Sequence, residues 1–251
     1  MARNLTASFF AALVVSVAGV AMAAEIPANI TAALADKARP EADVKRDAAR
    51  HPGELLAFAG VKPGDKVADF MMGGGYFTAI LSPAVGPKGK VYAYQSAEFI
   101  AFRAAYGDEQ KKAVAGRDNT VALTAPLSAV GLPDGLDLVL TVQNYHDLHL
   151  KPFPPGTAAG VNAQVFKALK PGGVYLVVDH AAAAGAPVTV ADTLHRIDPA
   201  IVKQEVTAAG FKFEGESPIL TDSADDHTVN VFAPAIRGKT DQFVYKFRKP
   251  K

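Results

Sequence analysis

Short apolar runs alternate along the chain with longer segments of mixed polarity. Five of these runs predict strands: 66–70, 91–95, 120–125, 136–143 and 174–180. Four other segments have helical patterns: 76–85, 97–116, 156–170 (stopping at Pro171-Gly172-Gly173) and 199–211. The fourth strand is apolar at nearly every position, which is typical of a strand buried on both faces of a sheet. The alternation therefore predicts a doubly wound α/β fold with a mostly parallel sheet.

The last part of the chain changes character. Three runs with little helix between them predict further strands: 211–217, 228–234 and 243–249. We expect them to form a closing β-hairpin with an antiparallel C-terminal edge strand.

The N-terminus has the features of a bacterial secretory signal. Arg3 provides a positive charge, residues 5–20 are mostly apolar, and residues 21–23 are an Ala-x-Ala cleavage site. The predicted organisation is a cleaved signal peptide at 1–23, an extension at 24–42 and a single domain at 43–251. The expected location is periplasmic or secreted, and a retained membrane anchor is the alternative.

The start of the domain also has a helical pattern. Residues 41–61 favour two helices, the first capped by Asp43 and the second opened by Pro52 in its first turn.

Composition limits the partners of the chain. The net charge is +1, from 26 basic and 25 acidic residues, so no charge excess indicates a nucleic acid or a membrane surface after signal cleavage. There is no cysteine, which excludes disulfides, thiolate metal sites and cysteine nucleophiles. The expected partner is a small-molecule substrate, and composition does not predict an oligomeric state.

A glycine-rich turn follows the first predicted strand. That strand ends in Asp69, and the turn contains the triplet 73–75. A P-loop is excluded because no Gly-Lys-Ser/Thr follows, and a dinucleotide fingerprint would need glycine where Thr78 stands. An acid followed by glycines two, four and six residues later is the S-adenosylmethionine pattern. Met71 replaces the first of those glycines, while Gly73 and Gly75 match.

Several segments together carry a resemblance to a known family. They are "RDAARHPGELLAFAGVKPGDKV", "GGGYFTAILSPAVGPKGKVYAY", "NYHDLH", "LKPGGVYLVVDHAAAAG", "LHRIDPAIVKQEVTAAGF" and "TDQFVYKFRKP". The chain resembles class I S-adenosylmethionine-dependent methyltransferases, and more closely a bacterial group of predicted methyltransferases with signal peptides. The resemblance implies a seven-stranded Rossmann-like sheet and methyl transfer to a small-molecule nucleophile. It also implies cofactor contacts from Asp69, Met71, Gly73, Gly74, Gly75, Tyr76, Gln95, Asn144 and Tyr145.

Three departures from the family pattern leave a second function open. The acid that usually follows the third strand and meets the adenine amino group is missing, since that segment offers only Thr124 and Ser128. The acid that usually holds the ribose at the end of the second strand is replaced by Gln95, for which Glu98 could substitute. Met71 stands at a glycine position. Weaker cofactor contacts, and export away from the cytosol where the cofactor is made, favour a non-catalytic periplasmic ligand- or partner-binding protein as the alternative.

Histidines and acids follow the fourth and fifth strands, where ligands of this fold class gather. The candidate catalytic residues are His146, Asp147, His180 and His195. We expect His146 to be a general base oriented by Asp147, with helix capping as the structural alternative. Arg196 and Asp198 are expected to form an ion pair at a helix start, with Asp198 as the N-cap before Pro199.

A resident metal is not expected, because the chain has no cysteine and no His-Glu-x-x-His motif. A histidine-rich metal site stays as the less favoured alternative. It would draw on His146, His149, Asp179, His180 and His195.

Overall fold

The computed structural model describes residues 25–251, so the predicted signal peptide and its cleavage site lie outside the described residues. Seven strands form one sheet: β1 (Lys66–Phe70), β2 (Lys90–Ser96), β3 (Thr120–Ala125), β4 (Leu136–Val142), β5 (Leu169–His180), β6 (Lys212–Ser217) and β7 (Gln242–Arg248). Their order is β3-β2-β1-β4-β5-β7-β6. The predicted seven-stranded, mostly parallel sheet is confirmed.

The C-terminal strand provides the antiparallel pairing. β7 pairs antiparallel with both β5 and β6, and it lies between them, so β6 forms the edge of the sheet. This position brings the start of β7 beside the end of β5, where Gln242 faces His180 in the register.

Ten helices surround the sheet in the described part of the chain. They are α1 (Ala28–Leu34), α2 (Glu41–Val44), α3 (Asp47–Arg50), α4 (Pro52–Ala59), α5 (Tyr76–Val85), α6 (Ala97–Phe102), α7 (Ala105–Val114), α8 (Thr157–Ala168), α9 (Val190–Leu194) and α10 (Pro199–Ala208). Three 3-10 turns occur at Leu127–Ala129, His146–His149 and Pro218–Leu220. No helix among residues 25–251 has the length and apolarity that a membrane crossing requires.

The sheet is buried on both faces. Along β4, Val139 lies in one hydrophobic core, whereas Leu138 and Leu140 lie in the other. Alternating side chains of a strand point to opposite faces, so this division explains the almost continuous apolar run. α1 belongs to the predicted extension, and its Ile30 is fully buried in the core that α5 also covers.

Three local predictions were wrong. The single helix expected over 97–116 is divided, because the backbone of Arg103 is extended and its guanidinium pairs with Glu109. The helix expected to stop at Pro171-Gly172-Gly173 ends at Ala168, and β5 begins at once, with a register shift beside β4. The strand expected over 228–234 is a chain of turns, since the Val231 amide bonds to the Leu194 carbonyl of α9 instead of a strand.

The capping predictions had mixed outcomes. Pro52 opens α4 as expected, but Asp43 lies inside α2, which begins after Pro40. Asp198 caps α10 by accepting the Ala200 amide at 2.8 Å, as predicted. The expected Arg196–Asp198 pair was wrong, because Arg196 is turned into the interior and pairs with Asp225 at 2.8 Å.

The strand order reverses between β1 and β4. In open α/β sheets the crevice beyond the carboxyl ends of the strands at such a reversal is the usual ligand position. Here the glycine turn after β1 and the segment after β4 meet across that crevice, where the Asn144 side-chain amide donates to the Met71 carbonyl at 2.8 Å.

Candidate functional site

The backbone of the glycine turn has positive φ at Met71, where the pattern expects glycine, as well as at the two glycines that match the pattern. Met71, Gly73 and Gly75 all have positive φ, at 56°, 55° and 83°. A non-glycine residue in this left-handed region costs about 1–2 kcal/mol. The Met71 side chain is only 3% exposed and belongs to the hydrophobic core, so its burial offsets that cost.

The turn is held from beneath by polar side chains. Gln95 is buried, and its side-chain oxygen accepts the Gly73 amide at 3.2 Å. The Met72 amide donates to the Tyr94 carbonyl at 3.0 Å. A Cβ on Gly75 would lie 2.5 Å from the Cβ of Ala113, which explains the need for glycine there. Gln95 and Asn144 therefore support the turn itself.

Asp69 lies under the turn and is almost fully buried. The Thr78 hydroxyl donates to its carboxylate at 2.6 Å, in the first turn of α5. Burial raises the pKa of Asp69 to about 6, and the hydrogen bonds from Thr78 and the charge of Arg50 offset only part of this effect. Because burial disfavours the ionised carboxylate, keeping Asp69 charged at neutral pH lowers the stability of the fold.

Asp69→Asn is expected to stabilise the protein at neutral pH by on the order of 2 kcal/mol. Because the pKa rises from 3.8 to about 6 on folding, the wild type loses stability as pH rises through this interval. The variant has no such loss. Urea unfolding should give similar free energies for both proteins near pH ~4 and a gap that opens by pH ~6.5. A gap of equal size at both pH values would contradict the raised pKa.

A cavity of about 200 Å³ lies directly beside the glycine turn. It is lined by Arg46, Arg50, Asp69, Met71, Met72, Gly73, Gly74, Tyr76, Phe77, Val142, Gln143 and Asn144. We call it the loop cavity. Met71 and Met72 are both buried and do not close it.

Arg50 is the unusual member of the loop cavity. Its guanidinium donates to the Gln143 side-chain oxygen at 3.1 Å and lies 4.6 Å from the centre of the Tyr76 ring. Its Nε is shielded from solvent and has no hydrogen-bond partner among residues 25–251. Burial and the nearby charge of Arg46 lower the pKa of Arg50. An unpartnered buried donor calls for a physical explanation, and an anionic group bound beside the guanidinium would supply one.

Tyr76 and Phe77 form the helix side of the loop cavity. The Tyr76 hydroxyl donates to Asp47 at 2.5 Å, and its ring packs beside Arg46 and Arg50. Phe77 is buried in the hydrophobic core that α5 covers.

A second cavity, of about 540 Å³, lies beyond the ends of β4 and β5. Its lining contains five aromatic residues: Phe99, Phe102, Tyr106, Phe153 and Phe232. We call it the aromatic cavity. Phe102 and Phe232 are 87% and 57% exposed, so two apolar side chains are left open to solvent in its wall. Gln143 and Asn144 line both cavities, so the two cavities adjoin at these residues.

The polar wall of the aromatic cavity is formed by histidines and acids. His146 is buried, and its Nδ1 lies 2.8 Å from Oδ1 of Asp179, while its backbone amide donates to Oδ2 of Asp179 at 2.7 Å. Its Nε2 lies 3.3 Å from Nδ1 of His195 and 3.3 Å from Oδ1 of Asp147. Asp179, and not the predicted Asp147, orients the His146 ring through Nδ1.

The charges of this wall are strongly coupled. Burial works against a charged His146, but the Asp179 carboxylate outweighs it and raises the pKa of His146 to about 9. The reciprocal attraction lowers the pKa of Asp179 despite its burial. Burial raises the pKa of Asp147 to about 6 and lowers the pKa of His180 to about 4. Burial also lowers the pKa of His195, helped by the charge of His146.

The remaining candidates are bonded to partners outside the His146–His195–Asp147 cluster. His180 lines the aromatic cavity, but its Nδ1 is bonded to the Thr240 hydroxyl at 2.7 Å. Tyr145 is fully buried and donates to Glu205 at 2.8 Å, and it lines neither cavity. His149 also faces Glu205, at 3.1 Å, and so it lies away from His146.

Backbone strain is concentrated around the two cavities. Of the five non-glycine residues with positive φ in the described part, Met71, Gln143 and His195 line a cavity. Such conformations cost of order 1–3 kcal/mol and cluster at functional sites.

The sequence patterns did not identify Arg50 as a site residue. They indicated Asp179 only as a ligand in the alternative metal site. Arg46 and Arg50 are spaced four residues apart in a segment with a helical pattern, which was a usable signal for one cationic face. The partner of His146 could not be read from spacing, because Asp179 is 33 residues away.

No protein-family profile matches the chain. Solved structures do resemble it. A SAM-dependent methyltransferase from Aquifex aeolicus aligns with a TM-score of 0.54 and 21% identity over 78% of this chain and 88% of that one. Aeropyrum pernix fibrillarin with natively bound S-adenosyl-L-methionine aligns at 0.51, with 15% identity, over 77% of this chain and 72% of that one. A possible exported protein from Bordetella parapertussis gives 0.50 and 15% identity, over 82% and 68%.

These likenesses establish one property of the chain, its fold. The protein has the Rossmann-like α/β fold of class I methyltransferases, as the sequence resemblance implies.

Proposed function

We propose that the protein is an exported S-adenosylmethionine-dependent methyltransferase that binds its cofactor across the loop cavity and modifies a small molecule in the aromatic cavity. The observation that carries the proposal is Arg50, a shielded guanidinium with an unsatisfied Nε beside a glycine turn at the reversal of strand order. A carboxylate bound in the loop cavity would pair with this guanidinium.

The residues of the loop cavity fit the amino-acid end of this cofactor. Arg50 would hold the carboxylate, and Asp69 supplies negative charge for the ammonium group on the same cavity wall. The volume of about 200 Å³ is below the 300–1,000 Å³ that is usual for complete ligand pockets. The loop cavity therefore suits one end of a ligand, whose remainder would extend past Gln143 and Asn144 into the aromatic cavity.

The residues fit the nucleoside end less closely. Gln95 is buried, lines neither cavity and accepts the Gly73 amide, so it does not face a ribose in either of them. Glu98 lines the aromatic cavity, although its carboxylate also accepts the Leu127 amide at 3.0 Å. A shared carboxylate can still accept from a ribose hydroxyl, because it has about four lone-pair positions.

When bound, the cofactor supplies a methyl group on a positively charged sulfur. Transfer would break the bond between sulfur and the methyl carbon, leaving a neutral thioether, and would form a bond from that carbon to the acceptor atom, whose proton would be released to solvent. The contribution of the chain is alignment: the turn fixes one end of the donor, and the aromatic cavity fixes the acceptor.

Export rests on residues 1–23 of this chain. The Bordetella structure of the same fold is described as a possible exported protein, which is a statement about that protein alone. An exported enzyme needs the cofactor supplied outside the cytosol.

Calorimetric titration with S-adenosylmethionine tests the proposal. The protein should be purified from the periplasmic fraction of the host, where its first residue is expected to be Ala24. A single site with a micromolar dissociation constant is the expected result. No heat of binding at millimolar cofactor, with a folded protein, would contradict it.

One observation favours a second function. Gln95 stands where the family pattern has the ribose-binding acid, but its side chain bonds to the Gly73 amide of the glycine turn. A non-catalytic periplasmic binding protein on this scaffold would need no donor contacts, and the same titration would then give no binding.

A further inference from the structure

We propose that His146, His195 and Asp147 bind a divalent metal ion of the zinc type, with one coordination position open to the aromatic cavity. The three side chains each present one ligand atom, and these atoms all lie within 4.8 Å of one another. Two imidazoles and a carboxylate, without thiolates, are a donor set that suits Zn²⁺ and Co²⁺.

The distances between the ligand atoms support a shared ion. Nε2 of His146 lies 3.3 Å from Nδ1 of His195 and 3.3 Å from Oδ1 of Asp147. Both separations are longer than the 2.7–3.2 Å of ordinary hydrogen bonds. Ligands about 2.0–2.1 Å from a tetrahedral ion are about 3.3–3.4 Å apart, which is the observed spacing.

The ring of His146 is oriented as a metal-binding histidine requires. Its Nδ1 is bonded to Asp179 at 2.8 Å, and the same carboxylate accepts the His146 backbone amide at 2.7 Å. A carboxylate on the far ring nitrogen fixes the tautomer and directs Nε2 toward the ion. Two carboxylates, of Asp147 and Asp179, also supply the negative charge that a divalent ion needs.

His195 is held in a costly conformation to complete the set. It follows α9 with φ of 53°, a region that non-glycine residues seldom occupy. The left-handed turn places its ring almost perpendicular to the ring of His146, with centroids 5.4 Å apart. Strain at a ligand position is consistent with a function for the side chain.

The open position defines the class of acceptor, and this part of the inference rests on the proposed methyltransferase function. His146, Asp147 and His195 line the aromatic cavity together with the five aromatic residues. An acceptor that fits would have an apolar, preferably aromatic body and a hydroxyl or thiol that can bind the ion. Coordination lowers the pKa of such a group and prepares it as a nucleophile.

Titration of the chelator-treated protein with Co²⁺, without any cofactor, tests the metal site. We expect one equivalent to bind and to produce visible absorption typical of a tetrahedral ion, and Zn²⁺ to displace it. Absence of binding, or binding without these bands, would overturn the proposal. Because no S-adenosylmethionine is present, this result is independent of the proposed methyl transfer.

Two asparagine variants give a matched comparison. His195 and His227 both have positive φ, 53° and 63°, which asparagine tolerates. His195→Asn is expected to weaken Co²⁺ binding at least 100-fold, whereas His227→Asn, outside the cluster, should bind as the wild type does. Equal affinity of the two variants would overturn the assignment.

Two further variants keep the test decisive if His195→Asn does not fold. Asp147→Asn preserves the shape of the side chain and should also weaken Co²⁺ binding at least 100-fold. Native far-UV circular dichroism would show that this variant is folded. Asp179→Asn keeps all three ligands and should lose only about 10–100-fold, with unchanged stoichiometry. Unchanged affinity in folded Asp147→Asn would contradict the proposed ligand set.

Discussion

Replacing Arg50 with methionine is expected to weaken the binding of S-adenosylmethionine by about 10–150-fold. A hydrogen bond between charged groups contributes about 1.5–3 kcal/mol, and each 1.4 kcal/mol is a factor of ten in affinity. Methionine has a similar length and packs well against the Tyr76 ring that Arg50 now covers. Calorimetry on the variant and the wild type measures the difference.

Arg46→Met is the matched control for this prediction. Arg46 lines the same cavity, but it is exposed and already paired with Asp43 at 2.5 Å. We expect less than a fivefold loss, because an exposed, paired guanidinium contributes about 0–1 kcal/mol. Equal losses in the two variants would mean that general positive charge, and not the unsatisfied Nε of Arg50, attracts the cofactor.

Arg196→Met is expected to destabilise the fold by about 3–5 kcal/mol. Arg196 is fully buried, and it pairs with Asp225 at 2.8 Å while donating to the carbonyls of Ala181 and Val229. Removing it leaves the Asp225 carboxylate buried, with only backbone amides as partners. Urea unfolding of the variant and the wild type gives the loss directly.

The double variant Arg196→Met with Asp225→Leu separates charge from packing. Replacing both members of a buried pair with apolar residues is often neutral or stabilising. The double variant should therefore recover much of the stability lost in the single variant. A double variant at least as unstable as Arg196→Met would show that the pair matters mainly through its bonds to the backbone.

The sheet was predictable because burial on both faces leaves a simple signal. Short apolar runs such as 136–142, which are seven residues long and separated by helical segments, predict central strands. Apolar and polar residues also alternate over 228–234, and the strand that this pattern predicts is wrong. Its polar Asn230 instead bonds to the Thr193 carbonyl and to the amide of Phe232, and such local bonds are not visible in an apolar pattern.

The site was predictable only in part. The ends of β1 and β4 could be expected to meet, and the glycine turn could be placed there from Asp69 and the glycines. The Asp179–His146 pair and the position of Arg50 depend on contacts between distant segments. Gln95 faces the turn instead of the cavity because the Gly73 amide is within reach, a choice that residue type alone does not settle.

A crystal structure with S-adenosylhomocysteine tests the central claim most directly. We predict that the amino-acid carboxylate lies within hydrogen-bond distance of the Arg50 guanidinium and that the nucleoside passes Gln143 into the aromatic cavity. A ligand bound elsewhere, or an Arg50 that stays bonded to Gln143 with no carboxylate beside it, would contradict the account.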